Sequence, residues 1–163
     1  MKRLPVDVEE IAAMMDRDGG MGIQGYYLDT ETGDIVVIPE ELLREEVLED
    51  AYAGGLPAWE RDLVPAARDI YQDGDRYVAI PAISSGEIYD LMVEFAESVR
   101  NQALGEKLSI ALDGRGAFGR FKRVLAGYPA ERERWYKMKD AFLAEQVREW
   151  LADWDVEASP KEP

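Results

Sequence analysis

The chain has 163 residues, 47% of them hydrophobic, with a formal charge of -15; that is enough apolar material for one core, and the charge argues against attraction of the whole molecule to phosphate-rich partners. Cysteine and histidine are both absent, which excludes disulfides, thiolate metal sites, a cysteine nucleophile and the commonest general base. The opening MKRLPVDVEEIAAMMD has only a short apolar run, broken by Pro5 and by acids, so neither a signal peptide nor a membrane span is expected and the chain reads as cytoplasmic.

Val6 to Met15 reads as a short helix with Val8, Ile11, Ala12 and Met15 on one face, ended by the cluster Gly19, Gly20 and Gly22. Tyr26 to Asp29 and Asp34 to Ile38 are two β-rich runs around the polar turn Thr30-Glu31-Thr32-Gly33, the clearest hairpin in the chain. Pro39 suits a first helical position, and Leu42, Leu43, Val47 and Ala51 then mark the apolar face of a helix over about 39 to 52. Trp59, Leu63, Ala67 and Ile70 keep helical spacing, with Pro65 dividing or bending that segment.

Arg76 to Pro81 reads as a third strand that joins the hairpin. Ser84 and Glu87 make a capping-box signature ahead of the stripe Ile88, Leu91, Met92, Phe95 and Val99, which predicts a helix over 85 to 101. Leu104, Leu108, Ile110, Ala111 and Leu112 suggest a short helix ended by Asp113-Gly114, and another runs from Gly116 or Ala117 to Ala126. A last helix over 130 to 154 carries Trp135, Met138, Phe142, Val147, Trp150, Leu151 and Trp154, with Trp150 and Trp154 expected to anchor its end. Strands followed by helices spell α+β: a small antiparallel three-stranded sheet, the hairpin plus one later strand, with a helical C-terminal half. A single compact domain over 1–155 is expected, its sheet-containing part at about 1–82 and its helical part at about 84–155, with 156–163 as a disordered tail.

Charge is distributed unevenly. From Arg100 to Asp140 ten basic residues face five acids, a local +5, so the remainder carries -20. Segment 100–140 could therefore meet an anionic partner, or neutralise the acidic first half.

The blocks LDTETGD, DRYVAIP, IYDLMVEFAESV, ALDGRGAFGRFKRVL, and WYKMKDAF followed by REWL, in that order over about 20 to 155, resemble the bacterial uncharacterised protein family 0158. The family's glycine-rich block reads closer to GKGAFRRFKD, so Gly119 stands in place of a basic residue and Arg123 in place of an acidic one. The resemblance implies an α+β fold and no particular activity.

Residues 111–125, ALDGRGAFGRFKRVL, hold two readings. Phe118, Phe121, Val124 and Leu125 recur at helical spacing and suit a core, with Gly114 and Gly116 as helix end and tight turn. Alternatively Arg115, Gly116, Arg120, Lys122 and Arg123 form an anion site at the helix start near Ala117, although the spacing is neither a phosphate loop nor a dinucleotide fingerprint. DTETGD at 29–34 alternates oxygen ligands as calcium loops do, but a hairpin turn explains it better. Ser84 and Ser85 have no histidine to activate them. Trp135 and Tyr136 beside Arg132, Arg134, Lys137 and Lys139 suit either single-stranded nucleic acid or a core.

With no catalytic set, cofactor or metal site legible, the expected function is that of a non-catalytic cytoplasmic binding protein whose acidic surface engages a protein partner. The alternatives are a nucleotide or nucleic-acid binder working through 114–123 and, third, a divalent-metal carboxylate enzyme. Nucleic acid would be met only through segment 100–140, and no membrane is involved.

Overall fold

The computed structural model describes residues 1–16, 25–39, 42–43, 55–72 and 74–159. The expected helix over 39–52 and the Gly19, Gly20 and Gly22 cluster lie almost entirely or wholly outside these residues. The fold is α+β: a three-stranded antiparallel sheet, a two-stranded parallel pair and, among the described residues, seven helices, mostly in the C-terminal half. The chain divides into two compact units, Met1–Ala82 with Ala144–Pro163, and Ile83–Leu143.

In the first unit, β1 (Lys2–Pro5) leads to α1 (Val8–Met15), whose N-cap Asp7 accepts the Glu10 N–H at 3.1 Å. β2 (Gly25–Asp29) lies between β3 (Ile35–Ile38) and β4 (Tyr77–Ala79), antiparallel to both, so the expected third strand does join the hairpin. Pro65 falls in the first turn of a helix, where a missing N–H costs nothing, and the segment is split into α2 (Ala58–Arg61) and α3 (Val64–Tyr71). The split moves the apolar face: Val64, Ala66 and Ala67 are buried with Ile38 and Leu42, whereas Trp59 is 59% exposed.

Asp29, 5% exposed, organises this sheet. Its carboxylate accepts the Glu31 and Thr32 N–H groups at 2.9 and 3.4 Å, and Arg76 grips it with two bonds of 3.0 and 2.8 Å. Thr30 adds a backbone bond of 2.8 Å and a hydroxyl bond of 2.6 Å to the Arg76 carbonyl. DTETGD is thus a hairpin turn locked to β4, not a cation loop. Gly33 completes it with φ of 84°, and a Cβ there would come within 2.7 Å of the Pro5 carbonyl oxygen.

Residues 156–159, expected as the start of a tail, instead form a strand, β5 (Val156–Ser159), that runs parallel to β1 with Lys2 opposite Val156. The strand is short, but Val156 is 3% exposed and its partner strand buries Leu4 at 5%, which gives the pair an apolar side.

The second unit holds α4 (Ser85–Ser98), α5 (Gln102–Ala111), α6 (Ala117–Ala126) and the first part of α7 (Pro129–Asp153). The capping box is present: the Ser84 hydroxyl accepts the Glu87 N–H at 3.2 Å, and Glu87 returns to the Ser84 N–H at 3.2 Å. Phe95, Phe121 and Trp135 meet edge to face, with centroids 5.0 to 6.0 Å apart, at the centre of a core that includes Leu91, Leu104, Leu108 and Leu125. The Arg134 guanidinium covers the Phe95 ring at 4.3 Å and bonds the Ser98 hydroxyl at 3.0 Å.

One expectation needs correction. Trp154 is 50% exposed and does not anchor the last helix, because α7 ends at Asp153 and its final buried residues, Leu143, Val147 and Leu151, repeat at i, i+4, i+8. The short helix expected from Leu104 to Leu112 is present as α5; its buried face is Leu104, Leu108 and Ala111, and Ile110, which points away from that face, is 74% exposed.

Burial alone would raise the Asp29 carboxyl, but the Arg76 hydrogen bonds and the Glu31 and Thr32 donors outweigh it and hold it below its ordinary range. Stability from this group is present above the unfolded carboxyl value, near 3.9, and is lost as the pH falls through the lower folded value. Asp29→Asn should therefore cost about 1–3 kcal/mol at neutral pH, with the gap from wild type closing in acid; urea melts at several pH values test this. Leu151→Ala should cost about 2–5 kcal/mol and Trp154→Ala no more than about 0.5, measured by thermal melts.

Candidate functional site

The glycine-rich block is built around the end of α5. The last carbonyls of a helix have no partner within it. Here Arg120, one turn into α6, turns back over the loop: Nε donates to the Ala111 carbonyl at 3.0 Å, Nη2 to those of Asp113 and Gly114 at 2.5 and 3.4 Å, and Nη1 to that of Arg115. A guanidinium has five donors in a fixed plane, and this one spends them on the last carbonyl of α5, at the negative end of the helix dipole, and on three carbonyls of the loop beyond it. Gly114 and Gly116 take φ of 81° and 78°, and a Cβ on Gly116 would stand 3.1 Å from Arg120 Nη1. Gly116 is thus required both by its left-handed backbone and by the arginine packed on it.

Of the five residues expected to hold an anion, Arg120 is turned onto the loop and Arg123 bonds the Gly119 carbonyl of its own helix at 3.3 Å. Arg115 and Lys122 are exposed. Gly116 caps α6 with no side-chain bond to the helix N-terminus. Phe121 and Leu125 are buried and Phe118 and Val124 partly so, which makes the apolar half of the block core. Trp135 is core at 3% exposure, whereas Tyr136 beside it is 49% exposed. No three Asp or Glu side chains converge to hold a metal among the described residues.

A different face of this unit is indented. Two adjoining depressions of about 490 and 510 Å³ lie along α4 and α5 and share Ala96, Ser109 and Ile110. The first is completed by Tyr89, Val93 and Leu112, and Tyr89 is fixed by a 2.7 Å bond from its hydroxyl to the Leu112 carbonyl. The second is completed by Val99, Gln102 and Gly105. Glu97, Glu106 and Asp113 edge the pair, and no basic residue lines either depression. The only sequence signal for this face was Ile110, an isoleucine out of phase with the stripe of its own helix.

The model of the Uncharacterised protein family (UPF0158) matches residues 55–162. No curated protein and no solved structure matches the chain.

Arg120→Ala should leave carbonyls at the α5–α6 loop without donors and destabilise the protein by about 1–3 kcal/mol, whereas Arg115→Ala, at an exposed position, should change stability by no more than about 0.5 kcal/mol. Denaturant melts of the two variants measure the difference.

Proposed function

Because the chain belongs to the Uncharacterised protein family (UPF0158), whose description names no activity, we propose from its own residues that it is a non-catalytic cytoplasmic binding protein that engages a protein partner through an acidic face of its helical unit. The observation that carries this reading is Ile110, 74% exposed between two apolar depressions edged by acids. Leaving a large aliphatic side chain in water forgoes about 1.5–3 kcal/mol of burial, which a partner can recover. The acids that edge this face, Glu97, Glu106 and Asp113, suit a protein partner better than a phosphate backbone.

A second reading, nucleotide or nucleic-acid binding at 114–123, is favoured by exposed Arg115 beside an α6 N-terminus that no side chain caps. It is the weaker of the two, since Arg120 is already committed to four carbonyls.

Ligands that bind only the folded state raise its melting temperature, so nucleotides, RNA, Mg²⁺, Mn²⁺ and Ca²⁺ are each expected to leave the melting curve unmoved. Photo-reactive side chains placed at Ile110 and at Arg115 in the native cell should yield protein adducts from position 110 and few from position 115. A rise in melting temperature with nucleotide or RNA that Arg115→Glu abolishes would overturn the proposal in favour of the second reading.

A further inference from the structure

Resting on that reading, we infer that the α4–α5 face receives a basic amphipathic helix of the partner, which sets one apolar side chain in each depression, astride Ile110, and its lysines or arginines against Glu97, Glu106 and Asp113.

The apolar part follows from the lining. Tyr89, Val93 and Leu112 on one side of Ile110, and Val99 with the methylene stem of Gln102 on the other, offer hydrocarbon in two separate hollows. Small residues at Ala96, Gly105 and Ser109 keep the floor low between the two helices. Two hollows flanking one ridge suit a helix that presents apolar side chains one or two turns apart along one face, the helix-in-groove mode of recognition. The Tyr89 bond to the Leu112 carbonyl fixes the wall of the first hollow, so little ordering is left to be done on binding.

The charge part follows from the rim. The acids come from both helices, Glu97 from α4, Glu106 from α5 and Asp113 just beyond its end, and their side chains make no ion pair with any described residue. Three carboxylates around a hydrocarbon surface repel an acidic segment and attract a basic one, which sets both the encounter rate and the choice of partner.

The test uses the full chain and a designed peptide of about four helical turns with leucines on one face and lysines on the other. A scramble of the same composition and a version with glutamate for lysine serve as comparisons. Fluorescence anisotropy should show the amphipathic lysine peptide binding at least about tenfold tighter than its scramble, more weakly as salt rises, and the glutamate peptide not at all. Ile110→Asp should weaken binding at least about tenfold with the melting temperature unchanged, because the side chain is already in solvent. Glu97→Lys with Glu106→Lys should do the same. Equal binding of peptide and scramble, or indifference to Ile110→Asp, would overturn this inference. The broader reading fails on a different result, the absence of protein adducts in the cell combined with a nucleotide- or RNA-dependent rise in melting temperature.

Discussion

A helix that ends inside a folded unit leaves carbonyl oxygens that must find donors, and the way this chain supplies them at the end of α5 shapes the helical unit. Arg120 reaches back from the next helix to the carbonyl of Ala111, the last residue of α5, and to those of Asp113, Gly114 and Arg115 in the loop that follows. That single side chain ties the loop to α6, the helix whose Phe121 packs against Phe95 and Trp135. It also decides which end of α5 is rigid. Ile110 and Asp113 stand on a turn whose backbone is pinned from behind, and a surface that binds without rearrangement needs such a backing.

The first unit solves a similar problem with the opposite charge. Asp29 is the one buried charged residue described, and burying it is tolerable because two N–H groups and a bidentate arginine satisfy it. Its partner Arg76 stays partly in solvent and also reaches Glu31 at 3.2 Å. In both units one arginine fork joins a loop to the element that follows it later in sequence. In both, the residues that might have suggested ligand chemistry, a run of acids and a run of glycines and cations, are used to tie backbone together.

Where local rules act, the sequence was legible. The hairpin, its pairing with the strand at Tyr77–Ala79, the capping box at Ser84 and the helix at Ala117–Ala126 each follow from turn chemistry, caps or periodicity that a few neighbouring residues define. Pairing between distant segments was not legible: nothing in KRLP or VEAS marks them as strands until each finds the other. The exposed position of Trp154 is hidden for a related reason: helical spacing continues in the sequence past Asp153, where α7 ends. At the glycine-rich block, composition announced four cations and three glycines. It could not say that the guanidinium of Arg120 faces carbonyls, because that depends on two left-handed glycines bending the loop beneath it. The apolar hollows required two helices to be placed side by side, and only the odd phase of Ile110 hinted at them.

The parallel pairing of Lys2–Pro5 with Val156–Ser159 bears on the order in which the molecule can assemble. The two strands are separated by about 150 residues of chain, so their contact closes the longest loop described, and its entropy must be met after nearly everything between them exists. During synthesis β1 emerges well before β5, while the contiguous helices of Ile83–Leu143 have their partners earlier. Through that interval β1 lacks the backbone partners that β5 supplies, which makes the nascent first unit the phase in which a chaperone, or another copy's edge, has its opportunity.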